Sequence, residues 1–68
     1  MLNKNKLRAR MVEVGYTQDK LAKETGISYT SLSRKMNGVT SFDVDEADRI
    51  CEVLGIVAGV EKAEIFLA

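Results

Sequence analysis

The sequence predicts an all-α fold, a compact domain of four or five short helices, and three observations support this. Apolar residues recur at spacings of three and four, which is the pattern of amphipathic helices. Residues suited to helix N-caps precede these stretches, and glycines follow them. The 68 residues include no proline, and a chain of this length holds one hydrophobic core that requires nearly all of its apolar residues. We therefore expect a single domain over residues 1–68.

The first two predicted helices are short, and each is followed by a glycine. The spacing of Leu7, Met11 and Val14 places these three residues on one face of the first helix. Thr17 is a good N-cap for the second helix, which we expect to run to about Thr25. The buried candidates of the second helix and the two terminating glycines are Leu21, Ala22, Gly15 and Gly26.

The third predicted helix covers residues 29–37. Ser28 precedes it and is a second residue suited to an N-cap. Leu32 and Met36 are four residues apart, so they lie on the same face, which we expect to be buried. Gly38 then ends the helix.

The fourth predicted helix begins with a capping box. Asp43 is the cap and Glu46 follows three residues later, while Phe42 can pack on Ala47. Negative charge is favourable at a helix N-terminus, which explains the acidic residues at the start of this helix without metal binding or acid–base catalysis. The residues expected on the inner face, with the glycine that ends the helix, are Val44, Ala47, Ile50, Cys51, Leu54 and Gly55.

The tail, residues 56–68, carries a weaker pattern. A short fifth helix can form here from Val60, Ala63, Glu64 and Ile65. Ile65, Phe66 and Leu67 fit a strand or an apolar anchor equally well. We predict a helix here.

The composition argues against several classes of function. The chain has one cysteine and no histidine, so we expect neither an internal disulfide nor a zinc site of the usual ligands. It has no nucleophile placed beside a base and no glycine-rich phosphate loop, so we expect no enzyme, no cofactor and no small-molecule ligand. No apolar run approaches the roughly 18 residues that span a bilayer. None at the start has the length of a signal peptide, so we expect an intracellular protein without a membrane partner.

The formal net charge is zero, but the charges are sorted along the chain. Up to Gly38 there are eight basic and three acidic residues, a net charge of +5, whereas from Val39 onward two basic and seven acidic residues give −5. One half would attract a polyanion and the other would repel it, so the asymmetry would also orient the protein. The alternative is an ordinary solvated surface.

The most informative feature is a pair of short helices joined by a tight turn, residues 18–32. Ala22 is small enough for the two helices to approach closely, and Gly26 can adopt the positive φ that turns the chain. The angle between the helices allows the second one to stand out from the surface. The apolar contacts that fix this angle are expected from Leu21, Ile27 and Leu32.

With these residues the chain resembles the lambdoid phage repressor and Cro group, the Cro/XRE-type helix-turn-helix domains, over residues 7–56. The resemblance implies a lambda-repressor-like domain whose helix-turn-helix unit spans about residues 17–37. It also implies a phage- or prophage-type transcriptional regulator, a repressor, that binds double-stranded DNA in the bacterial cytoplasm and nucleoid. The residues that carry it are Thr17-Gln18-x-x-Leu21-Ala22-x-x-x-Gly26-Ile27-Ser28, Leu32-Ser33-Arg34, Asn37-Gly38 and Val53-Leu54-Gly55-Ile56.

The resemblance further implies phosphate contacts at both ends of this unit. Gln18 lies at a helix N-terminus, where backbone N–H groups also favour an anion, and Asn37 lies at the end of the recognition helix. The alternatives are a local cap partner for Gln18 and a left-handed helix end for Asn37. Further phosphate candidates are Ser28, Lys35 and Thr40.

The base-reading candidates lie on the recognition helix itself. At about 100° per residue, Thr30 and Arg34 fall opposite the apolar face and project outward. Arg34 suits a bidentate contact to guanine, and Thr30 suits a thymine methyl or a groove edge. Tyr29 lies on the boundary, and its ring either contacts a base or packs back while its hydroxyl meets a phosphate. Ser33 is a secondary candidate.

Four further points concern the cations near the start, a departure from the relatives, a second function and the oligomeric state. Four cations near the start (Lys4, Lys6, Arg8 and Arg10) form either a basic arm or a solvated face. Many relatives carry a buried Arg–Glu pair where this chain has Met11 and Met36, an exchange that packing can compensate. An alternative function is a protein-interaction module of antirepressor type. A homodimer on DNA is possible, with a seam, or else core residues, in the tail at Ile56, Val57, Val60, Ile65, Phe66 and Leu67.

Overall fold

A computed structural model describes residues 2–57 and 59–67 of the chain. These residues form five helices and no strand, which confirms the predicted all-α fold and the helix in the tail. None of these helices is long and apolar enough to cross a membrane. The predicted domain, 1–68, also includes positions 1, 58 and 68, which lie outside the described residues. The helices are α1 (Lys4–Glu13), α2 (Gln18–Thr25), α3 (Tyr29–Met36), α4 (Val44–Leu54) and α5 (Val60–Phe66).

Every helix contributes at least one fully buried side chain to a single core. Helix α2 packs against α3 and α4, while α1 packs against α5. Met11 and Met36 both lie in this core. The largest fully buried side chains are Leu7, Leu21, Leu32, Met36, Ile50, Leu54 and Ile65. The core takes fewer apolar residues than expected, because eight large hydrophobic side chains stay exposed among the described residues, Val12 and Leu67 being two of them.

The predicted caps of the second, third and fourth helices are confirmed. Thr17 and Ser28 each accept a hydrogen bond from the backbone N–H three residues later, at 3.2 Å in both cases. At α4 both halves of the capping box form, since Asp43 accepts from the Glu46 N–H and the Glu46 carboxylate accepts from the Asp43 N–H. These contacts satisfy donors that would otherwise lack partners at the helix starts.

Two predicted core positions were wrong. Val14 follows the last residue of α1 and is 40% exposed, because the helix ends one residue earlier than its apolar spacing suggested. Val44 is 74% exposed although it shares the spacing of the inner face of α4. It is the first residue of that helix, and side chains tilt towards the helix N-terminus, so Val44 points past the edge of the core.

The tail completes the core. Ile56 and Ile65 are buried, and the ring of Phe66 meets that of Phe42 edge-on, with ring centroids 5.7 Å apart. The Asn3 N–H donates to the Ile65 carbonyl at 2.7 Å, which ties the start of α1 to α5. Part of the predicted dimer seam is therefore not available to a second copy, because Ile56 and Ile65 are buried in the monomer core and Phe66 packs against it.

Candidate nucleic-acid interface

The turn between α2 and α3 is fixed by backbone geometry and by α4. Gly26 has a φ of +75°, the left-handed conformation that a glycine adopts without strain. The Thr25 hydroxyl donates to the Leu21 carbonyl at 2.7 Å. From α4, the Arg49 guanidinium donates to the Thr25 carbonyl at 2.8 Å. The two helices are therefore held at one angle by contacts that lie away from the outer surface of α3.

The exposed face of α3 carries the residues that the helical spacing places there. Thr30 and Arg34 are both exposed, whereas Leu32 and Met36 on the opposite face are buried. Ser33 lies between the two faces and is half-buried. The structure thus brings an arginine and a threonine together on the exposed face of α3, one turn apart.

The start of α3 is equally accessible. Tyr29 is 53% exposed, so its ring is only partly covered by the body of the protein. The Ser28 hydroxyl accepts from the Ser31 N–H as the cap, which leaves its own proton free to donate to another group. Thr40, in the loop after α3, is also exposed.

Gln18 and Asn37 lie at the outer ends of the helix-turn-helix unit. Gln18 is the first residue of α2, and its amide makes no side-chain hydrogen bond within residues 2–57 and 59–67, so the proposed local cap role is not seen there. Asn37 caps α3 with a φ of −90°, so it is not a left-handed residue. That conformation belongs to Gly38, with a φ of +79°.

The side chain of Asn37 is occupied by two neighbours. Its Nδ2 donates to the Ser33 carbonyl at 2.9 Å, and its Oδ1 accepts from Nη2 of Arg8 on α1 at 3.4 Å. All three residues reach the surface. The end of α3 is therefore linked to α1 through a neutral amide.

Lys35 points inward and binds Glu46 on α4. Its Nζ lies 2.6 Å from one carboxylate oxygen, and the two side chains are only 16% and 11% exposed. The hydrogen bond from Lys35 holds the pKa of Glu46 below its ordinary value, and the backbone N–H of Asp43 adds to this effect. A phosphate contact by Lys35 would have to compete with this ion pair, so that role stays a prediction.

The fold pairs half of the cations that the basic half of the chain contains. Lys6, Arg10 and Lys35 face Glu64, Glu61 and Glu46, so acidic residues from the second half neutralise them. Lys23 pairs with Asp19 within α2. Within the described residues the cations of this half that have no carboxylate within 4.0 Å are Lys4, Arg8, Lys20 and Arg34.

Sequence reasoning missed the structural role of Arg10. Its guanidinium donates to the carbonyls of Leu54 and Gly55 at the end of α4, at 3.3 and 2.8 Å, and also pairs with Glu13. Free carbonyls at a helix C-terminus attract a cation. The glycine after α4 marked where those carbonyls would lie, but nothing local indicated that α1 would supply the cation.

The comparisons with known proteins agree with this geometry. A family model described as helix-turn-helix matches residues 7–58. The match contains both helices of the unit, the loop after α3 and all of α4. Searches of curated proteins and of solved structures returned no match.

Proposed function

Because this chain belongs to the helix-turn-helix family of DNA-binding transcription regulators, we propose that it binds double-stranded DNA sequence-specifically, with α3 in the major groove. One observation carries the proposal: Arg34 and Thr30 lie exposed on α3, and Arg34 has no carboxylate partner in the described part of the chain. An exposed, unpaired arginine on a protruding helix suits bidentate recognition of guanine. Catalysis is not typical of this family.

The other contacts follow from this docking. Thr30 and Ser33 would read base edges beside Arg34, with Tyr29 at the rim of the groove. The amides of Gln18 and Asn37 and the hydroxyls of Ser28 and Thr40 would donate to phosphates and set the register of the helix. Lys35 would act mainly by holding α3 against α4 through Glu46.

The regulatory type is the finer part of the proposal. We infer a repressor of phage or prophage type that acts in the bacterial cytoplasm on nucleoid DNA. A helix-turn-helix domain bound to its operator can repress by occupying a site that a polymerase requires. The sequence resemblance to the Cro group supports this assignment.

We also propose that two copies bind one operator. Val60, the first residue of α5, and Leu67, the residue after it, are both exposed and lie seven residues apart, so they lie on the same side of the helix. Val57 before α5 is exposed as well. A second copy could cover this face. One module of this size buries a small DNA interface, and pairing on half-sites about 34 Å apart supplies the missing affinity.

Selection of bound sites from a pool of random duplexes tests the proposal. We expect enrichment of one motif, with an inverted repeat if two copies bind. Failure to enrich any motif, together with binding that does not distinguish duplexes, would contradict sequence-specific recognition. It would favour the protein-interaction alternative. For such a contact, the exposed side chains of Tyr29, at the start of α3, and Val39, after its end, offer apolar surface.

A further inference from the structure

We propose that Arg8, on α1, is a phosphate-binding residue of the DNA interface and that Asn37 positions it. This inference rests on the proposed function, because it extends the surface that meets DNA from the helix-turn-helix unit to the first helix. Arg8 does not belong to that unit, which spans residues 17–37. The site consists of Arg8, Asn37 and the carbonyl of Ser33.

The first argument is that Arg8 differs from two other cations on the same helix, Lys6 and Arg10. Lys6 forms an ion pair with Glu64, and Arg10 binds two carbonyls and two carboxylates at the junction of α1, α4 and α5. Arg8 contacts only a neutral amide among the described residues, so no carboxylate there compensates its charge. Of the arginines on α1, Arg8 is therefore the one available to an anion.

The second argument is the orientation of the Asn37 amide. Its Nδ2 donates to the Ser33 carbonyl at 2.9 Å, which fixes Oδ1 on the opposite side, facing Arg8. Oδ1 then accepts from Nη2 of Arg8 at 3.4 Å. This contact uses one of the five N–H donors of the guanidinium, so the others remain to bind another group. The amide thus holds a long, flexible side chain at one end of the recognition helix.

The third argument is the position of this end relative to DNA. Helix α3 has eight residues, so it is about 12 Å long. The major groove is about 12 Å wide, so groups at the ends of a helix of this length lie next to the phosphates that border the groove. A guanidinium presents a fork of donors that matches a phosphate, so Arg8 is suited to bind one.

The arrangement changes the interpretation of Asn37. The resemblance implied a direct phosphate contact by this amide, but one of its two N–H donors already binds Ser33. We infer that much of its contribution passes through Arg8. Asn37 is then a positioning residue, and its removal should have little effect once Arg8 is absent.

The test measures how DNA affinity depends on salt. Fluorescence anisotropy would follow binding of a labelled duplex carrying the selected motif, and of a mixed-sequence duplex, by the unchanged protein and by Arg8→Gln. A lost phosphate contact lowers the slope of log affinity against log salt by about 0.9. On each duplex, the affinity of the unchanged protein divided by that of Arg8→Gln should therefore fall about 3.5-fold between roughly 50 and 200 mM salt.

Three further variants make the result specific. Arg8→Lys keeps the charge and should keep most of the slope. Lys62→Gln removes the same charge from a lysine paired with Asp48 on the acidic side, and should leave the slope unchanged. Asn37→Ala should weaken binding alone but add little to Arg8→Gln. Thermal unfolding of each variant would confirm that it folds.

The outcomes separate the two proposals. If the unchanged protein binds no duplex, the proposed function and this inference both fail. If it prefers the selected motif and Arg8→Gln has the same slope as the unchanged protein, only the role of Arg8 is overturned. Full additivity of Arg8→Gln and Asn37→Ala would overturn the positioning role of Asn37.

Discussion

The two ends of α3 are held in different ways. At its start, the backbone is fixed by the Ser28 cap, and the side chains of Tyr29 and Thr30 stay exposed. At its end, the side chains themselves make the contacts, since Lys35 binds Glu46 on α4 and Asn37 binds Arg8 on α1. The end of α3 is therefore tied to α1 and α4 by its side chains, whereas the side chains at its start stay exposed.

Breaking the Lys35–Glu46 pair should have the largest effect. We expect Lys35→Met to lower the free energy of unfolding by about 2 kcal/mol, because it leaves a largely buried carboxylate without its charged partner. Urea unfolding monitored by circular dichroism would measure this. Lys23→Met is the matched control, since Lys23 forms an exposed pair with Asp19 worth under about 1 kcal/mol. Equal losses in both variants would show that Lys35 does not hold the helix.

Arg34→Ala should have a comparable effect on binding instead of on stability. We expect a loss of about 1–3 kcal/mol on the selected duplex and a relaxed preference at one base pair, since a bidentate contact to guanine disappears. Gln18→Ala is the control, because loss of a phosphate contact weakens binding to all sequences alike. Anisotropy on the selected duplex and on single-base variants would measure both. An unchanged base preference in Arg34→Ala would disprove base readout by this residue.

Ser28→Ala should have a smaller effect, on stability. Loss of the N-cap of α3 leaves the Ser31 N–H without its acceptor and costs about 1 kcal/mol. Ser28→Asp retains a cap acceptor, so it should preserve stability while placing a negative charge near the proposed phosphate. A stable Ser28→Asp variant with unimpaired DNA binding would argue against a phosphate at this end of the helix. Thermal unfolding and anisotropy together provide the two measurements.

The smallest expected effect is a dependence of stability on pH. The Lys35 ammonium lowers the pKa of Glu46 in the folded protein below its ordinary value of 4.5. The stability that this pair contributes is therefore complete above about that pH and is lost as the pH falls through the lowered pKa. We expect Glu46→Gln to lose less stability than the unchanged protein between neutral and acidic pH. Urea unfolding at neutral and at acidic pH would measure this. An equal loss of stability in Glu46→Gln and in the unchanged protein would contradict it.

The sequence predicted those features that depend on neighbours in the chain. The caps at Thr17, Ser28 and Asp43 and the exposed face of α3 all follow from spacing over a few residues, and all were found. The all-α class followed from the same local patterns, and the family followed from the resemblance that the helix-turn-helix residues carry. Val44 was misplaced because spacing assigns a face but not the point at which the core ends.

The contacts between distant helices could not be predicted in this way. The charge of Lys35 indicated a phosphate contact, but folding brings it to Glu46, which lies eleven residues later at the start of α4. Arg8 and Arg10 are chemically identical and two positions apart, yet one meets Asn37 and the other the end of α4. Only the packing of α1 against the rest of the domain distinguishes them.

The hydrogen bond from Asn3 to Ile65 brings the first and fifth helices together at their outer ends. A short glycine-rich linker could therefore connect these ends, and the chain could be reopened in the exposed segment at Val39 and Thr40. Such a circular permutant would keep all five helices in place. Its new ends would offer two fusion points within the segment that follows α3.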